Sequence, residues 1–426
     1  MKKTRYILFF LFVFLIGIPV IYNLPPVQER VGWRAAELLA RFKYALSPPE
    51  ETIFVPREKD IWATPMVSPQ TLSPVPRSIT GTKIPSTEQP GLPLIPTVTT
   101  KPIPTSIQLD GFQHEYQTWN NCGPATLGIA LSFWGWEGDQ RPIAAFTKPN
   151  SRDKNVMPYE LAAYVEVETE LELVYRVAGE TELLKRLLAA GFPVIIEKGF
   201  EGRDFDGWMG HYILVTGYSD REQTITFQDS YYGPDQDLDY ADLESYWRAF
   251  NFTYLVVYPL ERQDEVATIL ASQFDEEYNN HYAAQKASDE IYVLTGRDQF
   301  FAWFNRGTNL VRLQDYDGAA AAYDEAFAIY PDIPAKERPW RMMWYQTGPY
   351  WAYYYTGRYQ DVIKLTTTTL NAMSEPVLEE SYYWRALARE GLGDTKSAIK
   401  DLRSALKFHP GFKPALTQLK QPGSAP

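Results

Sequence analysis

Residues 117–134 read QTWNNCGPATLGIALSFW and place a cysteine at the start of an apolar run. The apolar period over residues 125–136 predicts a helix, and Asn120 or Asn121 is a suitable N-cap for it. Cys122 is therefore expected at a helix N-terminus, where the helix dipole lowers the pKa of the thiol and favours the thiolate. The alternative is a structural cysteine of ordinary reactivity.

A second stretch, residues 210–230, reads GHYILVTGYSDREQTITFQDS and consists of two apolar runs around a polar turn. This pattern predicts a β-hairpin. With Asp220 at the apex of the turn, His211 and Asp229 lie opposite each other on one face, within reach of a hydrogen bond. A general base and its orienting carboxylate need this geometry, with the other imidazole nitrogen facing the thiol. The alternative is a half-exposed histidine at a strand start and an unrelated aspartate.

Gln117 precedes the cysteine by a few residues, and its side-chain amide can donate a hydrogen bond to a developing oxyanion together with the backbone N–H of Cys122. Taken together, the motifs resemble the C39-like branch of the papain-like cysteine peptidases over residues 107–258. The matching pieces are Gln117 ahead of Asn121-Cys122-Gly123-Pro124, then Gly210-His211-Tyr212, then Gln228-Asp229-Ser230.

This resemblance implies an α+β papain-like domain in which the cysteine helix packs on an antiparallel sheet carrying His211 and Asp229. It also implies thiolate attack on an amide carbonyl and an acyl-enzyme intermediate. Transporter-linked members of this branch remove leader peptides. The present sequence contains no Walker-type loop and no transporter-like segment, so leader removal is not implied.

Composition limits the remaining classes of function. A length of 426 residues predicts two or three domains, and a net charge of -12 disfavours nucleic acid as a partner. A single cysteine excludes an intrachain disulfide and a multi-cysteine zinc site. We expect no cofactor and no metal. Asp235, Asp237 and Asp239 could bind calcium, but a solvated loop is the simpler interpretation. His114 is expected at the surface, not in the role of the base.

The N-terminal sequence predicts a membrane anchor. Residues 6–22, YILFFLFVFLIGIPVIY, carry no charge and follow three basic residues. The length suffices for a short transmembrane helix, and the preceding basic residues place the N-terminus in the cytoplasm and the rest of the chain outside. A cleaved signal peptide is the alternative, although no small-x-small cleavage site follows. Residues 1–22 are thus the predicted cytoplasmic tip and anchor. Residues 23–46 are a predicted juxtamembrane helix that either continues from the anchor or lies on the membrane surface.

Residues 47–105 contain 13 of the 32 prolines of the chain, mixed with serine and threonine. Because proline fixes φ and removes a backbone donor, this segment is expected to be an extended, poorly packed linker that holds the folded part away from the bilayer. The peptidase domain is predicted over residues 106–260, and an all-α region of repeats over residues 261–420.

The C-terminal region follows the spacing of the tetratricopeptide repeat, with large residues, glycine and alanine at helix contacts and a proline after the second helix. The first copy is carried by Trp303, Gly307, Leu310, Tyr316, Ala319, Tyr323, Ala326 and Pro331. A second copy is carried by Ala386, Ala398, Leu402, Ala405 and Pro410, with a degenerate unit over residues 350–370 between them. Residues 262–298 are predicted to form a further, weakly matching helix pair. Such repeats stack into a concave surface that binds peptides or proteins.

The leading hypothesis is a membrane-anchored, extracytoplasmic cysteine peptidase that hydrolyses peptide bonds with Cys122, His211, Asp229 and Gln117. Its repeats would bind the substrate or a protein partner. The alternative is a non-catalytic surface scaffold in which the repeats carry the function. A third hypothesis is amide hydrolysis or acyl transfer on cell-wall peptides by the same residues.

Overall fold

The computed structural model describes residues 33–56, 103–150, 152–201 and 207–420. The predicted transmembrane segment, residues 6–22, lies outside these ranges. Among the residues that are described, no helix has the length and apolarity needed to cross a bilayer. The described chain consists of a mixed sheet-and-helix region followed by a helical region, which confirms the predicted fold classes.

The first region is built on one antiparallel sheet. Its strands are β1 (Ser106–Gln108), β2 (Leu171–Arg176), β3 (Val194–Glu201), β4 (Trp208–Ser219), β5 (Thr224–Asp229), β6 (Gly233–Asp239) and β7 (Tyr254–Pro259). The strand order is β2-β7-β3-β4-β5-β6, and β1 pairs with β4 outside this path. Strand β4 therefore lies in the interior of the sheet, which fixes the position of the residues it carries.

Helices cover both faces of this sheet. They are α2 (Cys122–Phe133), α3 (Gln140–Thr147), α4 (Pro158–Glu168), α5 (Thr181–Ala189) and α6 (Tyr240–Arg248), and α1 (Trp33–Leu46) precedes them in the chain. On one face Leu214 packs with the cysteine helix α2. On the other face Ile213 and Val215 pack with α5 and α6. Because successive strand residues point to opposite faces, β4 needs an almost continuous apolar run to fill both cores.

The predicted hairpin is present as β4 and β5, but its predicted register is wrong. The turn comprises residues 220–223, so that Ser219 pairs with Thr224. A β-bulge between Val215 and Gly217 then shifts the register once more. A turn longer than the assumed apex, followed by a bulge, moves every pair away from the predicted partner.

Five elements of the sheet region were not foreseen. Strands β1, β2 and β6 and helices α3 and α6 were not predicted, whereas the two strands of the hairpin were. The acidic stretch assigned to a loop is the edge strand β6. Its alternating aspartates form an exposed row, because side chains in a strand alternate between faces.

The second region contains only helices among its described residues. They are α7 (Gln263–Leu270), α8 (Glu276–Ile291), α9 (Gly296–Arg312), α10 (Tyr316–Ile329), α11 (Met342–Tyr345), α12 (Gly348–Tyr355), α13 (Tyr359–Ala372), α14 (Glu379–Gly391), α15 (Thr395–Phe408) and α16 (Lys413–Leu419). Helices α9 and α10 pack closely at Gly307, where a Cβ would lie 2.7 Å from the ring of Tyr323. The helix pair predicted over residues 262–298 does not pack only with the repeats. Val266 and Leu270 of α7 belong to the core of the sheet region.

The start of the predicted linker is folded. Phe54 is buried between Phe327 and Tyr353 of the repeats, with ring centroids 4.9 Å and 6.2 Å away. Lys364 also donates a hydrogen bond to the carbonyl oxygen of Val55 at 2.8 Å. Residues 47–56 are therefore packed on the repeats, contrary to the prediction, because one aromatic side chain offers enough apolar area to dock the segment. Since the segment that follows returns to the sheet region at β1, both of its ends belong to the folded body.

The two regions share one apolar core. The rings of Trp208 and Phe250 in the sheet region stack with centroids 5.8 Å apart, and Trp208 lies 6.0 Å from Phe301 of α9. Asn251 and Asn309 are both buried and exchange side-chain hydrogen bonds of 2.7 Å and 3.3 Å across the interface. Apolar packing and the hydrogen-bonded pair of Asn251 and Asn309 predict a fixed arrangement of the two regions.

Candidate active site

Helix α2 begins at Cys122, as the N-cap position of Asn121 predicts, and ends at Phe133, before the predicted end at residue 136. Asn121 occupies the N-cap position, but its side chain does not cap the helix. Instead, its amide nitrogen donates hydrogen bonds to Thr118 Oγ1 at 2.8 Å and to Gln140 Oε1 at 3.1 Å. Asn121 is therefore the N-cap residue by position only, because its side chain is turned towards Thr118 and Gln140 and its oxygen accepts no backbone N–H of the first turn. The backbone N–H of Cys122, in the first turn, has no intrahelical acceptor.

A buried lysine supports the loop in front of the cysteine. Lys148, only 5% exposed, donates a hydrogen bond to the carbonyl oxygen of Asn120 at 2.8 Å. Asn120 has a φ of 56°, in the left-handed region that asparagine tolerates better than most residues. Burial lowers the pKa of Lys148 to about 8, although the nearby Asp153 and Cys122 favour its charged form.

His211 and Asp229 are brought together as the sequence predicts, although not as a directly opposed pair. His211 Nε2 lies 2.9 Å from Asp229 Oδ1, and the two residues are 3% and 1% exposed. The aspartate stands at the end of β5, and its side chain also accepts the backbone N–H groups of Tyr231 and Tyr232 at 2.7 Å and 3.1 Å. The Phe200 ring lies 5.0 Å from the imidazole and shields this pair from water.

The site favours a charged pair of thiolate and imidazolium. Burial opposes ionisation of Cys122, but the hydrogen bond and charge of His211, a backbone hydrogen bond from Tyr212 and the charge of Lys148 hold the thiol pKa below its usual value. Burial also opposes the charged imidazole, yet Asp229 and Cys122 together raise the pKa of His211 to about 9. Against its own burial, the hydrogen bond and charge of His211 hold the pKa of Asp229 below its usual value.

Gln117 is tied to the strand that carries the aspartate. Its backbone N–H donates to the carbonyl oxygen of Ser230 at 2.8 Å, and its side-chain Oε1 accepts the Ser230 hydroxyl at 2.9 Å. With Oε1 engaged in this way, the amide nitrogen is the end that is left to donate to a substrate oxygen. The loop before Cys122 and the end of β5 are therefore held in one arrangement.

Two charged residues on β3 were missed by sequence reasoning. Lys198 is paired with His211 in the β3–β4 register and is 6% exposed. Burial lowers its pKa to about 8, while the charge of Asp229 raises it. Glu197 points to the other face of the strand, and its burial and the charge of Cys122 raise its carboxyl pKa well above the usual value. A charged residue at the end of the apolar run of residues 192–196 was the signal that could have identified Glu197, and Lys198 follows it directly.

A third missed residue comes from the helical region. Gly210, directly before His211, lies so close to α11 that a Cβ on it would stand 3.1 Å from the ring of Tyr345. The Gly210 backbone also hydrogen-bonds the Tyr345 hydroxyl. A repeat-region side chain thus borders the strand that holds the imidazole. No local pattern identifies such a contact, because its partners are far apart in the sequence.

His114 and the aspartates of β6 make contacts outside the group of Cys122, His211 and Asp229. His114 is half-buried, and its Nδ1 lies 3.0 Å from Gln228 Oε1. The acidic row on β6 makes protein contacts, with Asp237 accepting from Thr226 at 2.7 Å and Asp235 from Gln228 at 2.8 Å. Within the described ranges, no group of three or more histidine, cysteine and carboxylate side chains is arranged to hold a metal ion.

Comparison with known proteins gives the family of each region. Residues 101–255 match the Peptidase_C39 like family, and residues 300–333 and 380–411 each match the tetratricopeptide repeat. The chain carries a C39-like peptidase domain followed by tetratricopeptide repeats. The C39-like domain comprises the sheet and the five helices α2 to α6 that cover it.

Individual relatives are distant. The chain is 26% identical over 119 residues to the aryl-hydrocarbon-interacting protein-like 1 of Mus musculus and to that of Rattus norvegicus, and it spans 36% of the length of these curated relatives. A solved structure described as a C39-like peptidase from Bacillus anthracis is 15% identical, with a TM-score of 0.30. The similarity covers 36% of this chain and 96% of that chain. A MamA structure from Desulfovibrio magneticus has 14% identity and a TM-score of 0.26, with 35% and 73% covered.

Proposed function

We propose that this protein is a cysteine peptidase that hydrolyses peptide bonds through Cys122, His211 and Asp229. The observation that carries the proposal is the buried contact between His211 and Asp229 beside a cysteine at a helix N-terminus. Acyl transfer by a thiol requires a thiolate nucleophile, a base that contacts it, and a carboxylate that orients the base. The match to the Peptidase_C39 like family supports the same reaction class.

In the proposed mechanism, the Cys122 thiolate attacks the carbonyl carbon of the scissile amide and forms a C–S bond. The carbonyl oxygen becomes an oxyanion that accepts hydrogen bonds from the Cys122 backbone N–H and the Gln117 amide nitrogen. The His211 imidazolium then protonates the departing amine, and the C–N bond breaks to leave a thioester. Water, deprotonated by the now neutral His211, attacks the thioester and releases the carboxylic acid and the thiol.

In the same proposal, the repeats bind the peptide substrate or a protein partner. Tetratricopeptide repeats present a concave surface, and here their helix α11 borders the strand that carries His211. Residues 6–22 anchor the protein in a membrane with its N-terminus in the cytoplasm, so that the C39-like domain acts outside. The basic start and uncharged apolar run of the sequence support this placement.

The test is to incubate the purified full-length protein with a mixture of peptides and to identify new termini by mass spectrometry. We expect new termini with the wild-type protein and none with Cys122→Ser. His281→Ala is the matched control, because His281 is exposed on α8 and should leave cleavage unchanged. Equal cleavage by Cys122→Ser, or no cleavage by the wild type on protein-derived or cell-wall peptides, would overturn the proposal in favour of a binding scaffold.

A further inference from the structure

Helix α1 is docked on the repeats by one face. Ala40 and Tyr44, one turn apart, lie on this face, and Ala40 is buried. The Tyr44 ring meets the edge of Trp340 with centroids 5.4 Å apart, and its hydroxyl accepts the backbone N–H of Ser374 at 3.2 Å. These contacts fix the rotation of the helix about its axis, and so they determine what its other face presents.

The opposite face of α1 is apolar and uncovered. Leu38, Leu39, Phe42 and Leu46 are 67%, 68%, 68% and 70% exposed. Phe42 is two residues from Ala40, which is about 200° around a helix. A helix on the surface of a globular protein normally turns its apolar stripe towards the core. Here the helix does the reverse, and among the described residues nothing covers the stripe.

The sequence before α1 indicates what covers it. Residues 6–22 are uncharged and apolar, and residues 23–32 separate them from the first residue of α1. Even fully extended, ten residues reach only about 35 Å. With residues 6–22 inserted in a bilayer, α1 begins within about 35 Å of the membrane surface, so its uncovered apolar face can reach the lipid. Arg30 and Arg34, at the start of this stretch, are the residues that anionic lipid headgroups attract.

We propose that Leu38, Leu39, Phe42 and Leu46 form a lipid-binding face that lies in the membrane interface and holds the repeats against the bilayer. The occupant is the lipid surface itself, because the uncovered stripe and the adjacent apolar segment belong to one continuous stretch of chain. The proposal rests on the proposed insertion of residues 6–22 and is independent of the peptidase chemistry.

This arrangement changes the role of the proline-rich segment. A spacer, as predicted, would separate the folded body from the bilayer. Helix α1, which carries the lipid-binding face, is instead attached directly to the repeats. Lys43 of this helix donates a hydrogen bond to the carbonyl oxygen of Asn371 at 2.6 Å. The proline-rich segment then connects α1 to the C39-like domain within one body. The distance of the site from the membrane is set by the fold and not by the linker.

The test places a nitroxide on the lipid-binding face of the full-length protein in vesicles of phosphatidylethanolamine and phosphatidylglycerol. Cys122→Ser removes the only cysteine, so that Phe42→Cys can be labelled alone. Leu46→Cys repeats the measurement one turn later. Leu392→Cys is the control, since Leu392 is an exposed leucine of the repeats, far from α1 in the sequence. Flotation of the vesicles first shows whether the chain is inserted at all.

We expect labels at positions 42 and 46 to collide frequently with oxygen, which concentrates in lipid, and rarely with a water-soluble nickel chelate. Such a face is buried about 5–10 Å into the headgroup and acyl boundary. The label at position 392 should show the opposite pattern. Access of nickel to position 42 equal to that at position 392 would overturn the proposal. Low access of both reagents would indicate cover by protein, and spin–spin broadening would indicate a second copy; either result also contradicts it.

Discussion

At the residue scale, the protonation states of Cys122 and His211 govern the proposed reaction. The lowered pKa of Cys122 increases the thiolate fraction at neutral pH, and the pKa of His211, raised to about 9, keeps the imidazole protonated there. Protonation of the thiolate at acidic pH removes the nucleophile. Loss of the imidazolium proton above about 9 removes the group that protonates the departing amine. The rate of peptide cleavage should therefore rise from acidic pH and fall again in the alkaline range.

Gln117→Ala should lower kcat for peptide cleavage by about 10²–10³-fold, since an oxyanion donor is lost. The same variant should leave the alkylation of Cys122 by a small electrophile unchanged, because alkylation of a thiolate forms no oxyanion. Steady-state kinetics and a labelling assay on one preparation separate the two effects. Equal losses in both assays would mean that Gln117 supports the loop and not the oxyanion.

Lys148 offers a second test at this scale. Lys148→Met removes a cation near the thiolate and the donor to the Asn120 carbonyl, so the pKa of Cys122 should rise. The labelling rate at neutral pH should then fall by between about twofold and tenfold. Lys148→Arg retains the charge and should stay closer to the wild type. An unchanged pH profile in the methionine variant would remove Lys148 from the site.

Sequence reasoning found Cys122 and His211 because the chain contains one cysteine and four histidines, which leaves few combinations. Asp229 followed from a hairpin register that is wrong in detail, but its side chain at the end of β5 still contacts His211. Lys148 could not be found in the same way. A charged side chain is normally exposed, and its burial is decided by tertiary packing that leaves no local pattern.

At the scale of elements, strand β4 carries His211 and packs against the cores on both faces of the sheet and against the helical region. Gly210 has no space for a side chain, since a Cβ would lie 2.5 Å from Cζ of Phe250. Gly210→Ala should reduce the free energy of unfolding by about 1–3 kcal/mol, as overpacking of a core does. The midpoint of chemical denaturation measures this change.

Phe250→Leu provides the matched test of this close contact. It removes the ring atom that an alanine at position 210 would meet, so the double variant should be more stable than the sum of the two single changes predicts. Strict additivity would show that Gly210 is needed for another reason, such as backbone conformation.

The strands of the hairpin could be predicted from the sequence, but their register could not. Hydrophobic alternation located β4 and β5, but the turn length and the bulge at Val215 and Gly217 depend on local backbone geometry. Asp229 is the last residue of β5, and its side chain can reach His211 on β4 although the two residues are not paired. The predicted contact between His211 and Asp229 is therefore present, although the strand pairing from which it was predicted is not.

For the whole molecule, the C39-like domain and the repeats share buried polar contacts as well as apolar ones. We expect them to unfold in one transition, in which helical circular dichroism is lost at the same temperature as the protection of the β4 backbone amides from hydrogen exchange. Two separated transitions would contradict a shared core.

Asn309→Ala should destabilise both regions together, since it leaves the buried Asn251 amide without its partner across the interface. A buried polar group that is left unsatisfied costs about 1–3 kcal/mol. Asn371→Ala, at an exposed asparagine of the same helical region, is the control and should have little effect. These interface pairs could not be predicted, because they join segments that no sequence period relates.

The most direct measurement is the rate at which a thiol-directed electrophile alkylates Cys122 as a function of pH. The wild-type protein should react rapidly at neutral pH, with a midpoint below that of an ordinary thiol, because the imidazolium of His211 stabilises the thiolate. His211→Ala should shift the midpoint upward and slow the neutral reaction strongly, while His281→Ala should change neither. Slow alkylation of the wild type at neutral pH, unaffected by His211→Ala, would contradict a catalytic pair of Cys122 and His211.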